Sequence, residues 1–254
     1  MGVDPDESDP DVIERVLADA GRLGLGAMEE LAADVGSSGG VREVFSADQL
    51  TEHARRNGFA AAFGDSVQLS GAVTTPARAH LPAWQLGAEA AKALRTQERL
   101  GCDAIDDAVL AALMGVRAEA LTKTNADAVL AISFALKQGA GDDRVLLRSR
   151  YATGRRFELA RLLGDRLLGK AGDALYPATR STTYRQKAQR AFAAELLSPF
   201  DEVTAMLDGD YSAENQQEVA EHFKVSEMTI RTQLVNHRVL DRDELESGEF
   251  ALAA

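Results

Sequence analysis

One cysteine, four histidines, one tryptophan and six prolines occur among 254 residues, and aromatic residues make up only 6%. A single thiol, Cys102, excludes an internal disulfide framework and suits a reducing compartment. With no histidine near it in sequence, Cys102 reads as a small buried apolar residue rather than a nucleophile. His53, His80, His222 and His237 lie in distant regions without ligand-like spacing, which argues against a histidine-built metal site. Surface placement is expected for His222 and His237. The chain lacks any long uncharged apolar run, which excludes a spanning helix. Its acidic start DPDESDPD (residues 4–11) lacks the basic and apolar segments of a secretory leader. A cytoplasmic protein without a membrane partner is the expectation.

What is present suffices for one sizeable core with accessory segments, since 45% of the residues are hydrophobic and 27% charged. The net charge of −12 is unevenly spread. Residues 144–190 hold twelve Lys/Arg against three acids, a local charge of +9, so the remainder carries −21. Such a block can meet an anionic partner such as nucleic acid, or it can dock on the acidic remainder of its own chain or on a protein. The overall acidity favours the internal or protein-directed reading over nonspecific nucleic-acid binding.

Apolar and charged residues alternate at helical spacing over 12–34, and SADQ (46–49) has the form of a capping box for a helix ending near Asn57 and Gly58. GSSGG (36–40) reads as a linker and SVQLSGAV (66–73) as a short strand. A helix is expected from Pro82 through Leu100 and another from Ile105 to Met114, stopped by Gly115. Residues 127–136 and 145–151, joined by the turn-rich QGAGDD (138–143), read as a hairpin. Near the C-terminus Val219, Ala220 and Phe223, then Ser226 as a cap, then Ile230 and Leu234, have the layout of a helix-turn-helix. Within that segment Arg231, Thr232, Asn236 and Arg238 are candidate nucleic-acid contacts, although Glu227 near the second helix's N-terminus would oppose phosphate. The expected organisation is an N-terminal helical accessory region over 1–80, a main domain over 81–240 that includes the helix-turn-helix-like segment 216–240, and a loosely ordered tail over 241–254.

Two segments carry the most specific signal. RRFELARLLGDRLL (155–168) is followed by QKAQRAFAAELLSP (186–199). Together they resemble the ImmA/IrrE family of metallopeptidase-like proteins, whose active-site helix reads R-F-x-L-A-H-E-L-G-H and whose next core helix reads E-x-x-A-N-x-F-A-A-E-L-L-x-P. Phe157, Leu159, Ala160, Leu163, Gly164 and Leu168 occupy structural positions of the first pattern, and Phe192 to Leu197 with Pro199 reproduce the second. The resemblance implies an α+β, mostly helical zincin-like domain with a small sheet.

Two histidines four apart on one helix face can hold a zinc ion while an adjacent glutamate acts as general base. Here the three places are taken by Arg161, Leu162 and Asp165, and the family's third ligand falls on Gln186. A guanidinium repels zinc, leucine moves no proton, and one Asp with a neutral Gln is a poor ligand set. No metal or other cofactor and no catalytic residue is expected. Arg161 and Asp165, an i,i+4 pair, are instead expected to form an ion pair where the metal would have been. Active relatives hold an extended peptide along an edge strand and cleave repressor-type transcription factors. The resemblance therefore implies an inactive regulatory or interaction protein whose partner is a protein or peptide, with a helix-turn-helix repressor as the implied class. Two alternatives stand beside it: a zinc endopeptidase with unrecognised ligands, and a helix-turn-helix DNA-binding regulator.

Overall fold

The computed structural model describes residues 10–37, 45–70, 80–123, 132–139, 141–169 and 172–241. In chain order these form α1 (Pro10–Leu23), α2 (Leu25–Ser37), α3 (Ala47–Asn57), β1 (Phe59–Ala60), α4 (Ala83–Gln97), α5 (Asp107–Met114), α6 (Glu119–Thr122), β2 (Ser133–Leu136) and β3 (Arg144–Leu146). They continue with α7 (Ala152–Leu168), β4 (Leu175–Ala178), α8 (Tyr184–Leu197), α9 (Phe200–Leu207), α10 (Ala213–Phe223) and α11 (Glu227–Asn236). The architecture is mixed α/β and mostly helical, around a four-stranded antiparallel sheet of order β1-β3-β2-β4.

Side chains alternate across the sheet because successive strand residues point to opposite faces. Phe134, Leu136, Leu146 and Leu175 pack with Leu23, Ala27, Leu31, Leu50 and Ala54 of α1–α3. Ala135, Val145, Tyr176 and Ala178 face the larger core, which holds Leu159 and Leu163 of α7 and Phe192 and Leu196 of α8. The N-terminal helices and the main body thus share one sheet, and β1 supplies one of its edges.

Local signals explain most of the elements. Ser46 and Gln49 form the expected reciprocal capping box on α3, and Gly115 ends α5 in the left-handed conformation at φ 73°. The helical periodicity over 12–34 becomes two helices broken at Gly24, whose φ of 99° suits glycine. The expected strand over 66–73 does not form in its described part. Residues 67–70 are irregular, tied down by Val67 N–H to Leu113 O and by Ser70 N–H to Gln97 Oε1. Residues 71–73, the linker residues 38–40 and the tail from 242 lie outside the described residues, as do 127–131 of the expected hairpin. The rest of that hairpin is β2 and β3.

Two interhelical approaches set the position of α8. A Cβ on Gly164 of α7 would lie 2.6 Å from Phe192 Cδ1, and one on Gly87 of α4 would collide with the Ala188 carbonyl. Both glycines let neighbouring backbones come close to α8, so that α7 and α4 pack on it from different sides.

Candidate functional site

α7 is buried almost all round: Leu159, Ala160, Leu162 and Leu163 lie in the core, but so do Arg155, Arg156, Glu158 and Asp165. A polar helix in that position is stable only if its charged groups find partners. Arg155 donates to Ala120 O and Ser149 O, Arg156 pairs with Asp107 and donates to Ile105 O, and Arg166 donates to Val67 O. Arg190 of α8 donates to Thr179 O and Ser181 O. Much of the basic block is therefore turned inward, where guanidinium forks hold loop carbonyls.

The four degenerate-motif positions meet different fates. Leu162 is fully buried in the main core. Arg161 and Gln186, 25 residues apart, come together: Arg161 Nη2 donates to Gln186 Oε1 at 2.6 Å and to Thr179 O at 2.8 Å. Burial, reinforced by the nearby Arg190 charge, lowers the Arg161 guanidinium to about 9, which leaves it a cation at neutral pH. Asp165 does not make the expected ion pair with Arg161. It receives a two-pronged bond from Arg185, Nε to Oδ1 at 2.6 Å and Nη2 to Oδ2 at 2.8 Å, and Arg185 Nη1 also bonds Asp173 Oδ2 at 3.0 Å. Sharing a helix face places Arg161 and Asp165 side by side, but the start of α8 offers each a better-shaped partner. Burial pushes the Asp165 carboxyl up against the pull of the Arg185 fork. Burial alone would lower Arg185, but the hydrogen bonds and charges of Asp165 and Asp173 outweigh it and hold it raised.

Gln186 is fully buried and satisfied on both ends of its amide. Its Oε1 accepts from Thr179 N at 2.9 Å as well as from Arg161, and its Nε2 donates to Pro177 O at 2.9 Å. Gln189 Nε2 adds a second bond to Pro177 O at 3.1 Å. These contacts occupy the outer edge of β4 at residues 177–179. Pro177 has no N–H to offer, which suits an edge strand. The expected peptide docking by strand addition therefore finds this stretch already capped by side chains of α7 and α8.

As a zinc site the arrangement does not fit. The cation there is Arg161 itself, the position adjacent to it is a core leucine, and the one carboxylate is committed to Arg185. Among the described residues no group of three or more His, Cys, Asp and Glu side chains is placed to hold a metal ion.

Two cavities flank α8, and Tyr184 at its start borders both. The smaller, about 370 Å³, is lined by Glu29, Glu30, Asp165, Arg185 and Gln189 among others. The larger, about 790 Å³, is a groove between α4, α8 and α11, lined also by residues from the first half of α7. Trp84, Phe157, Tyr184 and Met228 give it an apolar wall, and Lys187 and Arg190 stand on the α8 side.

The C-terminal segment forms α10 and α11 joined by residues 224–226, with Ser226 capping α11 through Thr229 N. The four candidate nucleic-acid contacts do not share one open face. Thr232 and Asn236 line the groove, Arg231 is half-buried with its Nε buried and without a hydrogen-bond partner, and Arg238 is exposed past the end of α11. Gln233, between them, is locked to Ser198 in both directions. The exposed side of α10 carries Glu214, Glu218 and Glu221, which repel phosphate.

Two minor expectations are corrected. Cys102 is exposed, in the turn after α4, and a hydrogen bond with Glu202 raises its thiol. His222 is exposed as expected, but His237 is half-buried, stacked on Phe200 at 3.6 Å between ring centroids and edge-on to Trp84 at 5.8 Å. Burial and the nearby Lys92 charge lower its pKa.

Sequence reasoning missed Arg185, Gln189, Thr179 and Asp173, which complete the polar cluster. Arg185 and Gln189 leave a trace in the clustering of RQKAQR (185–190) around Gln186, whereas Thr179 and Asp173 leave none. Among the described residues no helix is long and apolar enough to cross a membrane. Set against known protein families, curated proteins and solved structures, the chain matches none.

Proposed function

We propose that the chain is an ImmA/IrrE-like, zincin-like domain that has exchanged its metal centre for a structural polar cluster and acts by binding a protein partner. The observation that carries this reading is the meeting of Arg161 and Gln186 across α7 and α8, with Asp165 one turn further along α7. In an active member these would be the metal-binding positions. Their convergence supports a common frame, and the charge at its centre is supplied by a guanidinium. The cluster secures the edge of β4 to two helices, a stabilising task that leaves no group free for water activation. The implied partner is a regulatory protein of the helix-turn-helix repressor class, and the single cysteine is compatible with the proposed cytoplasmic placement.

The test is metal content of protein purified without a metal-affinity tag, with unfolding followed in added zinc and in chelator. The expected result is sub-stoichiometric zinc and no shift in either condition; stoichiometric zinc that stabilises the fold would overturn the proposal. The frame is tested separately by the triple variant Arg161→His, Asp165→His, Gln186→Glu, which is expected to take up one zinc ion per chain. A folded triple variant that ignores zinc sinks the family reading.

A further inference from the structure

We infer that the groove between α4, α8 and α11 is the docking site for an amphipathic peptide segment of a partner protein, one with an apolar face flanked by carboxylates. This deepens the proposed function and rests on reading the domain as a partner binder. Three of the large hydrophobic side chains left exposed by the fold gather here: Trp84 at 43% exposure, Tyr184 at 50% and Met228 at 45%. A single exposed apolar residue is ordinary, whereas a grouped set on a concave wall marks an interaction surface. A volume of about 790 Å³ accepts several side chains of one peptide face, the way amphipathic segments enter grooves between helices.

Charge selects the occupant. In a chain of net −12, the charged side chains lining the groove are Lys187, Arg190 and Glu195. Glu195 is buried, lies 3.8 Å from Lys92 and accepts from Phe200 N, so its charge is answered from within. Lys187 is exposed, and Glu195 is the one acid among the described residues lining the groove. Thr153 and Gly154, in the first turn of α7, also line the groove, and a helix N-terminus there adds partial positive charge. Carboxylates of a peptide meet Lys187 while its apolar residues cover Trp84 and Met228. Nucleic acid is disfavoured by the net charge of −12 and by the exposed glutamates of α10, the helix that precedes α11.

The protein carries its own reporter, since Trp84 is the only tryptophan. The probe is a synthetic peptide about twelve residues long, three helical turns, with Leu and Phe at helical spacing, Glu elsewhere and no Trp. Its twin has every Glu replaced by Lys. Titrated into the full chain at low salt, the Glu peptide is expected to shift Trp84 emission to shorter wavelength and saturate. It should bind at least about tenfold tighter than the Lys twin, a ratio that shrinks with added salt. Met228→Asp is expected to abolish the shift and Lys187→Glu to weaken binding about tenfold or more; both side chains are exposed, so both variants fold.

No shift, equal affinity for the twins, or binding indifferent to both substitutions overturns the inference. It is also overturned if the free full chain already shows fully shifted emission that Phe250→Ser with Leu252→Ser reverses, because the occupant is then the chain's own end. Mass spectrometry of the bound peptide separates the two proposals. A bound and cleaved peptide supports the groove but overturns the loss of catalysis. An unbound peptide together with a negative zinc test removes the groove and leaves the inactive domain standing.

Discussion

Where α8 meets α7 and β4, Gln186, Gln189 and Asp165 are buried and hydrogen-bonded, and the first two cap a strand edge. Where the same helix borders α4 and α11, it leaves Trp84, Tyr184 and Met228 half in solvent around a groove. The same residues cannot both hold the fold together and stay free for a ligand. A polar group committed to the backbone costs stability when disturbed, and an apolar group left uncovered costs little until a partner arrives. The buried polar cluster and the surface proposed for binding thus differ in physical role although one helix supplies both.

The contrast is broken or sharpened by substitution on each side. Asp165→Ala strips the Arg185 fork of its main partner and is expected to destabilise the protein by about 3 kcal/mol, because only Asp173 is left to answer a guanidinium in the seam. Urea unfolding measures this, and an effect no larger than that of a groove substitution would end the comparison. Gln186→Ala comes next, at about 1–3 kcal/mol, since it orphans Thr179 N–H and the Pro177 carbonyl loses one of its two donors. Met228→Gln on the groove side is expected to leave unfolding within about 0.5 kcal/mol of the parent while weakening peptide binding.

The smallest effect is the pH response of His237, whose burial against Phe200 favours the neutral ring. Its folded pKa lies below the ordinary value, so the unfolded chain binds the proton more readily. The contribution of the neutral ring is complete above the unfolded pKa of about 6.5 and is lost as pH falls through the depressed folded value. Comparing the parent with His237→Gln in urea, from about pH 7.5 down to about pH 5, should show the parent losing its advantage toward the acid end. A flat difference across that range would place His237 outside the packed wall of the groove.

Much of the secondary structure was legible because its signals are local. The capping box at Ser46 and Gln49, the Gly115 stop, the hairpin turn and the two motif helices all act within a few residues of chain. β4 was missed because four residues, one of them proline, carry no alternation signal of their own; the strand exists because β2 offers it a partner. The irregular course of residues 67–70, where a strand was expected, has the same origin. Val67 finds its hydrogen bond at Leu113 and Ser70 finds one at Gln97, rather than on a neighbouring strand. In the site, the meeting of Arg161 with Gln186 was within reach, since the family resemblance implied one shared site for both positions. The pairing of Asp165 with Arg185 was not, because helical spacing pointed to Arg161 and only the packing of α8 on α7 decides which guanidinium arrives with the right fork.

The sequence by itself determined that Arg161 and Leu162 are not metal-ligand types, where several of the helices run, and that a strongly basic block sits in an acidic chain. Those properties depend on side-chain chemistry and on spacings shorter than a few turns. Only the tertiary structure decided that much of this block turns inward to loop carbonyls, that the β4 edge is capped by Gln186 and Gln189, and that Trp84, Tyr184 and Met228 face one groove. These depend on contacts between residues far apart in the chain, whose geometry no local pattern encodes.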